Sequence, residues 1–198
     1  MNLLLKQSSL SKNVILEDSF EKINTIGAVS QISRGNEILS CFVVCSYPAL
    51  QLLEKKFAKF KTSFPYVSGL LSFREGPCII LAYKKLEVKP DLILLNAAGI
   101  CHPRFFGMAS HIGLILDKPT IGVTKKLLCG EVREGKIIYR GRHVGWKLKN
   151  IYISPGHKIS LETSLQVVKE CMGSHRLPEP LYISSRCVRD WYERSRKV

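Results

Sequence analysis

The stretch LILLNAAGICHPRFFGMASHIG, residues 92–113, decides the fold of this chain. It opens with four large apolar residues that end at Asn96. A short continuous apolar run of this kind is typical of a strand buried on both faces of a parallel sheet. Residues 105–117, FFGMASHIGLILD, have the apolar spacing of a helix, and residues 118–126, KPTIGVTKK, again resemble a strand. The sequence therefore predicts a strand-helix-strand unit with a right-handed crossover.

The sequence before this unit adds further elements to the sheet. Residues 37–50, EILSCFVVCSYPAL, have the composition of a strand that stops at Pro48. The lysine-rich residues 50–64 fit either an edge strand or a solvated helix face. Residues 69–86, GLLSFREGPCIILAYKKL, predict a helix or a loop followed by a helix.

The sequence after the unit predicts short strands and two helices. Residues 135–160 read as two or three short antiparallel strands with glycines between them. Residues 160–172, SLETSLQVVKECM, predict an amphipathic helix that a serine opens. The basic residues 186–198 predict a helix that frays. Together these elements predict an α/β fold with a mixed sheet and helices on both faces.

The composition predicts one globular domain, residues 1–198, with a strongly basic surface. Hydrophobic residues make up 45% of the chain, which is enough to bury one core. The formal net charge of +14 makes a polyanion such as nucleic acid the expected partner. No apolar run reaches the roughly 18 residues needed to cross a bilayer, and no secretory signal is recognisable. We therefore expect a cytoplasmic protein without membrane contact.

The seven cysteines are irregularly spaced and include no CxxC pair. They predict reduced, mostly buried thiols and argue against a zinc site. A functional site is predicted elsewhere, because sites in α/β sheets form beyond the carboxyl ends of the strands. Asn96 and Lys125 each follow a strand of the central unit, so we expect them side by side at the rim of the sheet.

Five motifs in unbroken order resemble the endonuclease V family. They are PYVSGLLSFRE (65–75), HPR followed by GMASH (102–111), PTIGVTKKLLCG (119–130), SPGH (154–157) and RLPEP (176–180). The resemblance covers residues 26–186 and leaves residues 187–198 as a basic C-terminal tail. On these motifs the chain is identified as a member of that family, with a single endonuclease V-like domain.

The resemblance implies a ribonuclease H-like mixed sheet with flanking helices, of the endonuclease V type. It also implies a Mg²⁺- or Mn²⁺-dependent nuclease of DNA repair. Such a nuclease recognises inosine in DNA or RNA and cuts the phosphodiester bond one nucleotide beyond it on the 3′ side. Carboxylates must hold the metal in such a site, because Mg²⁺ prefers hard, charged oxygen ligands. The metal then supplies a nucleophilic water and screens the phosphate charge.

The acidic positions that the resemblance implies are largely not acidic in this chain. The second metal-binding aspartate falls on Asn96, and the first falls on Ser30 or Val29, depending on the direction of counting. A third acidic position falls on Ser185, so that Glu75 alone remains as a metal ligand. Asp91 cannot replace Asn96, since five residues of strand span roughly 16 Å and an odd spacing reverses the face. The positions of Glu37, Asp117 and Glu162 stay open.

The resemblance also assigns candidate catalytic residues besides Glu75, Asn96 and Ser30. Lys125 matches a lysine that lies against the scissile phosphate or the attacking water, an electrostatic role that needs no metal. His102 and His157 match positions near the substrate backbone, where a neutral histidine can hold a phosphate oxygen or position a water. His111, among apolar residues of the predicted helix, is expected to be structural.

Substrate-binding residues are assigned in the same way. Tyr66 stands where the family inserts an aromatic wedge beside an extruded base, which replaces the lost base stack. Ser68 replaces a proline and loosens this loop. Ala97 and Ala98 add methyl groups that narrow the base pocket. The full substrate-binding set comprises Tyr66, Pro65, Gly69, Ala98, Gly99, Arg104 and Lys126.

We favour a nucleic-acid-binding member of the family that has lost catalysis or retains it only weakly. Its expected targets are inosine, deaminated or distorted sites in DNA or RNA. The first alternative is an active Mg²⁺-dependent endonuclease whose metal site uses Glu75, Asn96 and a further acid. The second is a non-catalytic scaffold or partner-binding protein. We expect a monomer in each case.

Overall fold

A computed structural model describes residues 2–195 of the chain. The strands are β1 (Thr25–Arg34), β2 (Glu37–Ser46), β3 (Leu52–Lys61), β4 (Leu92–Leu95), β5 (Thr120–Thr124), β6 (Glu131–Arg133), β7 (Lys136–Tyr139), β8 (Arg142–Leu148) and β9 (Ile151–His157). The helices are α1 (Leu3–Leu10), α2 (Leu71–Lys84), α3 (Met108–Leu116), α4 (Leu161–Glu170) and α5 (Glu179–Arg194), with a short 3-10 helix at Ser11–Asn13.

The nine strands form a mixed sheet in the order β3-β2-β1-β4-β5-β9-β8-β7-β6. At its centre β4 runs parallel to both β1 and β5. The remaining neighbours pair antiparallel. All four residues of β4 are buried, as the apolar run at 92–95 predicts. The central strand-helix-strand prediction is therefore confirmed.

Helices cover both faces of the sheet. Successive side chains of a strand point to opposite faces, and apolar side chains of the central strands are buried on each face. Ile26 and Ala28 of β1 face a core that α4 and α5 complete. Val29 of β1 and Leu95 of β4 face a second core with α2 and α3. The predicted mixed α/β fold with helices on both faces is confirmed. Among the described helices, none is long and apolar enough to span a membrane.

Several local predictions are resolved by packing. The lysine-rich residues 50–64 form the edge strand β3, since Phe57 faces one core while Ala58 faces the other. The helix predicted over 69–86 is α2, which keeps Pro77 inside it. Ser160 opens α4 as predicted, and its side chain accepts a hydrogen bond from the Thr163 amide. The strands predicted over 135–160 are β7, β8 and β9.

Three elements had no recognised signal in the sequence. Strand β1 carries glycine, serine and glutamine among its apolar residues, and α1 and β6 are short. The helix predicted over 186–198 begins earlier, at Glu179 directly after Pro178, and continues to Arg194. The expected fraying of the tail concerns Arg196 and Lys197, which lie outside the described residues.

Candidate nucleic-acid site

Three of the positions that the resemblance makes acidic lie near the carboxyl end of β4, where its pairing with β1 stops. The backbone amide of Asn96 donates a hydrogen bond to the Val29 carbonyl (3.3 Å), one residue beyond the last parallel pair of these strands. Ser30 lies next along β1, and its Oγ is 2.8 Å from Oγ of both Ser184 and Ser185 on α5. Val29 packs in the core on the opposite face. The geometry therefore favours Ser30 over Val29 as the position where the resemblance implies the first metal-binding aspartate.

This serine cluster, Ser30, Ser184 and Ser185, does not fit a divalent metal. Its three hydroxyls are uncharged, and those of Ser184 and Ser185 each form a hydrogen bond with Ser30, whereas Mg²⁺ prefers charged carboxylate oxygens. Within residues 2–195 no three His, Cys, Asp or Glu side chains come together as a metal site. We therefore derive no chemical step through a metal.

The other acids are held elsewhere. Asp91 precedes β4 and accepts hydrogen bonds from the amides of Asn24 (2.9 Å) and Thr25 (3.0 Å), at the far end of the strand from Asn96. The remaining candidates are paired or distant: Glu37 with Lys59 (2.8 Å), Asp117 with Lys158 (2.7 Å), and Glu162 in the first turn of α4. None of them replaces the missing carboxylates.

Glu75 is a buried carboxyl on α2, with 8% of its surface exposed. Burial raises its pKa to about 7, and the neighbouring Arg74 only partly opposes this shift. The Arg74 guanidinium is engaged in holding a loop, since it donates to the carbonyls of Phe64 and Gly35. Glu75 lies one helical turn after Ser72, which lines the cleft described next.

A cleft of about 440 Å³ opens beside these strand ends. It is bounded by the loop before α2, by the turn after β4 and by the residues that follow β5. The expected site residues that line it are Tyr66, Gly69, Asn96, Ala98, His102, Lys125 and Lys126. Tyr66 projects from the loop with 72% of its surface exposed. The described lining contains two lysines and no carboxylate.

The loop that carries Tyr66 is fixed at the Gly69 carbonyl. This oxygen accepts hydrogen bonds from Gln7 Nε2 (3.0 Å), Arg104 Nη2 (2.8 Å) and His102 Nε2 (3.1 Å). Gly69 has a φ of +77°, and a side chain there would collide with the Arg104 guanidinium at 2.7 Å. A glycine is therefore required at this position.

His102 is neutral in this arrangement. Burial, together with the positive charge of Arg104, lowers its pKa to about 4. Its Nε2 donates to Gly69, and its Nδ1 accepts from the Arg104 amide (3.3 Å). Both ring nitrogens are thus occupied by the protein. His102 and Arg104 were expected to contact the substrate, and the structure engages both of them in holding the Tyr66 loop.

Gln7 on α1 completes this network, and sequence reasoning missed it. Its side chain is 1% exposed, donates to the carbonyls of Gly69 and Phe106, and accepts from Arg104 Nε (2.6 Å). The only available signal was a polar residue within an apolar segment, LLLKQSSL, which does not by itself indicate a partner 62 residues away.

The turn after β4 packs directly on the neighbouring strand. The Gly99 amide donates to Ser154 Oγ (2.8 Å), and a Cβ at Gly99 would lie 2.1 Å from the Pro155 carbonyl oxygen. This contact fixes the backbone of Ala98 at the cleft. Pro65 is exposed on the Tyr66 loop and does not line the cleft.

His157, a candidate catalytic residue, does not line the cleft. It pairs with Thr120 at the start of β5, whereas Lys125 follows the end of that strand, roughly 16 Å away at about 3.3 Å per residue. Its Nδ1 accepts a hydrogen bond from the Ile15 amide (3.3 Å). His111 packs its ring against Phe73 and Phe106, as expected of a structural residue.

Comparison with known proteins identifies the family. The sequence model of the Endonuclease V family matches residues 8–186. An endonuclease V from Dictyoglomus turgidum is 40% identical over 192 residues, covering 90% of this chain and 84% of the relative. The crystal structure of human ENDOV superposes with a TM-score of 0.89 at 26% identity and covers 98% of both chains.

An endonuclease V of Ciona intestinalis, in complex with a 24mer DNA containing an inosine followed by a ribo-adenosine, superposes with a TM-score of 0.84. It is 27% identical, and 96% of each chain is covered. This chain therefore belongs to the endonuclease V family. The recognition made from the five motifs is confirmed, and so is the endonuclease V type of fold.

Proposed function

We propose that this chain binds DNA or RNA strands at inosine or comparable deaminated or distorted sites, and that it cleaves them weakly or not at all. The observation that carries this proposal is the serine cluster at the strand ends. Hydroxyls occupy the positions where a metal-dependent nuclease of this family needs carboxylates. Removing these negative ligands takes away the largest attraction for a divalent ion.

Binding is supported by the cleft and by the charge of the chain. Tyr66 stands exposed at the cleft mouth, where its ring can stack in place of an extruded base. Lys125 and Lys126 can contact phosphate oxygens there. The net charge of +14 favours a polyanion, and the Ciona intestinalis relative was crystallised with inosine-containing DNA.

The roles within the site follow from this geometry. Gln7, His102 and Arg104 are positioning residues, because they hold the Tyr66 loop through the Gly69 carbonyl. Ala98 lines the cleft and can contact the base, Gly99 holds the turn after β4 against Ser154, and Lys125 can contact a phosphate. We also propose that residues 1–198 act as a single domain and as a monomer in the cytoplasm.

The test is one experiment with two readouts. A labelled inosine-containing strand, as DNA and as RNA, is incubated with the protein in Mg²⁺, Mn²⁺ or EDTA, next to the same strand with adenosine. Cleavage is read on a denaturing gel and binding on a native gel. We expect a mobility shift that favours inosine, that weakens steeply with salt and that is accompanied by little or no cleavage.

The two alternatives give different results. A cut one nucleotide 3′ of inosine in Mg²⁺ would establish an active endonuclease and overturn the proposed loss. Absence of both shift and cut at low salt would leave a scaffold or partner-binding role. A shift that ignores inosine would keep nucleic-acid binding and remove the specificity for the deaminated base.

A further inference from the structure

A second cavity, of about 410 Å³, shares Lys125 with the cleft and reaches the serine cluster at Ser185. Four cationic side chains and a single carboxylate line it: Lys125, Arg176, Arg186, Arg189 and Asp190. The cavity therefore carries a net positive charge where it adjoins Ser185, one of the positions that the resemblance makes acidic. Its charge favours an anion.

Most of these cations are available to a ligand. Arg186 and Arg189 lie three residues apart on α5, so their side chains project from the same face. Within the described residues, neither guanidinium makes a hydrogen bond or an ion pair, and the Lys125 ammonium makes none either. Arg176 is held in place by donating to the Asn150 carbonyl (3.4 and 3.1 Å).

We propose that this cavity binds a phosphate group of the nucleic acid directly, without a divalent cation. Arginine presents several donors in a planar fork that matches phosphate oxygens, and such charge-assisted hydrogen bonds are among the stronger ones. Ser185 adds a neutral hydroxyl where a carboxylate would repel the phosphate. This inference rests on the proposed function, since it names how that site holds the strand.

Lys125 links the two cavities, because its side chain lines both of them. A strand whose base occupies the cleft beside Tyr66 can therefore continue across Lys125 and place a phosphate against Arg186 and Arg189. The base and the phosphate then occupy two cavities that share one lysine. The affinity for phosphate then comes from side chains of this chain and needs no metal.

The first test compares two charge-matched double variants. Arg186→Gln with Arg189→Gln removes two charges from the cavity. Lys84→Gln with Lys169→Gln removes the same charge from exposed positions on α2 and α4 that line neither cavity. Affinity for an inosine-containing single strand is measured in EDTA and in Mg²⁺ over a range of salt concentrations.

We expect the arginine variant to bind about tenfold to a hundredfold more weakly. Its salt dependence should fall by about 1.4 in the slope of log K against log salt, at about 0.7 per contact. The lysine variant should remain close to wild type, and EDTA should leave the wild-type affinity unchanged. Equal binding by the two variants, or loss of wild-type binding in EDTA, would overturn the inference.

A second pair of variants tests the sign of the charge at one position. Ser185→Asp introduces a carboxylate into the cavity, and Ser185→Asn introduces a neutral side chain of nearly the same shape. We expect the aspartate to weaken metal-free binding at least about threefold relative to the asparagine, because a like charge repels the phosphate. Equal affinities of the two would argue against a phosphate beside Ser185.

Inorganic pyrophosphate separates failure of this inference from failure of the proposed function. If wild type binds no inosine strand, pyrophosphate is titrated into the protein and followed by NMR shifts of α5. Binding that Arg186→Gln with Arg189→Gln abolishes supports the cavity, and no binding overturns it. Strands with a 5′-phosphate or a 5′-hydroxyl distinguish a terminal from an internal phosphate as the bound group. If Arg186→Gln with Arg189→Gln loses more affinity for the phosphorylated strand, the cavity binds the terminal phosphate. Equal losses of affinity for the two strands assign an internal phosphate.

Discussion

The two sides of the crevice at the strand ends differ in what their polar groups do. On the loop side, the Gly69 carbonyl collects three donors and fixes the segment that carries Tyr66. On the α5 side, the Ser30 hydroxyl is hydrogen-bonded to those of Ser184 and Ser185, and none of the three carries a charge. Both sides are hydrogen-bonded, but the first fixes a loop at the cleft, whereas the second places neutral hydroxyls where the resemblance implies carboxylates. Satisfied hydrogen bonding therefore does not by itself provide ligands for a metal.

Electrostatics explains how the carboxylates can be absent while the fold persists. Carboxylates that converge without a cation repel each other and lose hydration, so neutral hydroxyls are easier to bury. Glu75 illustrates the cost of burying a carboxylate, because burial raises its pKa to about 7 although Arg74 partly opposes the shift. The loop side has no such conflict, since its buried donors and acceptors pair without a net negative charge.

The largest expected effect comes from placing carboxylates at positions 30 and 96. Ser30→Asp combined with Asn96→Asp should create Mg²⁺-dependent cleavage of inosine strands, with a gain of about a thousandfold over the unmodified chain. A bound metal contributes several kcal/mol to such a reaction, and about 1.4 kcal/mol corresponds to a factor of ten. Cleavage is measured in single turnover at matched protein concentration.

The control adds Glu75→Gln to this double variant. It removes the third carboxylate of the restored site and should abolish the new cleavage. Restoring the acids should also make thermal stability depend on Mg²⁺, because the metal binds only the folded state. A double variant that folds, binds inosine strands and cuts nothing would show that missing ligands are not the reason for the loss.

The next effect concerns Glu75 and the pH dependence of stability. Its folded-state pKa of about 7 lies above the reference value of 4.5, so the folded state binds the proton more tightly. The contribution of the Glu75 carboxyl to the free energy of unfolding is therefore greatest below about pH 4.5, and it is lost as the pH rises through 7. Glu75→Gln should be more stable than wild type by about 2 to 3 kcal/mol at pH 8.5, and nearly equal to it at pH 4.5.

Urea unfolding at the two pH values measures this difference. His102 and His111 titrate in the opposite sense, because burial lowers the pKa of both to about 4. They remain in both proteins, so their contribution cancels in the comparison. A glutamine variant that is less stable than wild type at pH 8.5 would mean that the Glu75 carboxylate has a favourable partner when it is charged.

A smaller effect is expected on the loop side, from Gln7→Ala. The change leaves the Phe106 carbonyl and Arg104 Nε without their buried partner and should cost about 2 kcal/mol of unfolding free energy. It should also weaken binding of inosine strands, since one of the three donors to Gly69 is lost. Ser8→Ala, on an exposed position of the same helix, is the matched control. Equal stability of the two variants would contradict the anchoring role of Gln7.

The strand ends and the Tyr66 loop differ in how much of their structure the sequence predicts. The strand ends were predictable because the apolar run at 92–95 places Asn96, and parallel neighbours bring Lys125 to the same edge. The Tyr66 loop was predictable from its motif, but its anchor was not, since Gln7 reaches it across 62 residues of sequence. The location of His157 was not predictable for a related reason: the motif gives its order along the chain, while the antiparallel β9 places it at the end of β5 away from Lys125.

Hydrogen bonds between serines carry no signature in the sequence either. The contact of Ser30 with Ser184 and Ser185 depends on how α5 crosses the sheet, which the sequence around these serines does not indicate. The cavity lined by Arg186 and Arg189 arises from the same crossing. Patterns of local sequence indicate strands and loops, whereas contacts between distant elements depend on packing.

The smallest expected effect on stability comes from Tyr66→Ala on the loop side, where nucleic-acid binding and protein stability can be measured separately. Tyr66 is 72% exposed and belongs to neither apolar core, so Tyr66→Ala should change the unfolding free energy by less than about 0.5 kcal/mol. Binding of inosine strands should fall about tenfold, since stacking of an aromatic ring on a base contributes about 1 to 3 kcal/mol.

Tyr66→Phe keeps the ring and should bind like wild type, which distinguishes stacking from a hydrogen bond of the phenol. The measurement is the affinity for an inosine strand and for its adenosine counterpart at one salt concentration. A loss confined to inosine assigns Tyr66 to the extruded base, whereas an equal loss on both strands assigns it to single strands in general. If alanine binds both strands as tightly as tyrosine does, the exposed ring is not the wedge, and the loop that Gln7, His102 and Arg104 hold in place must present its backbone instead.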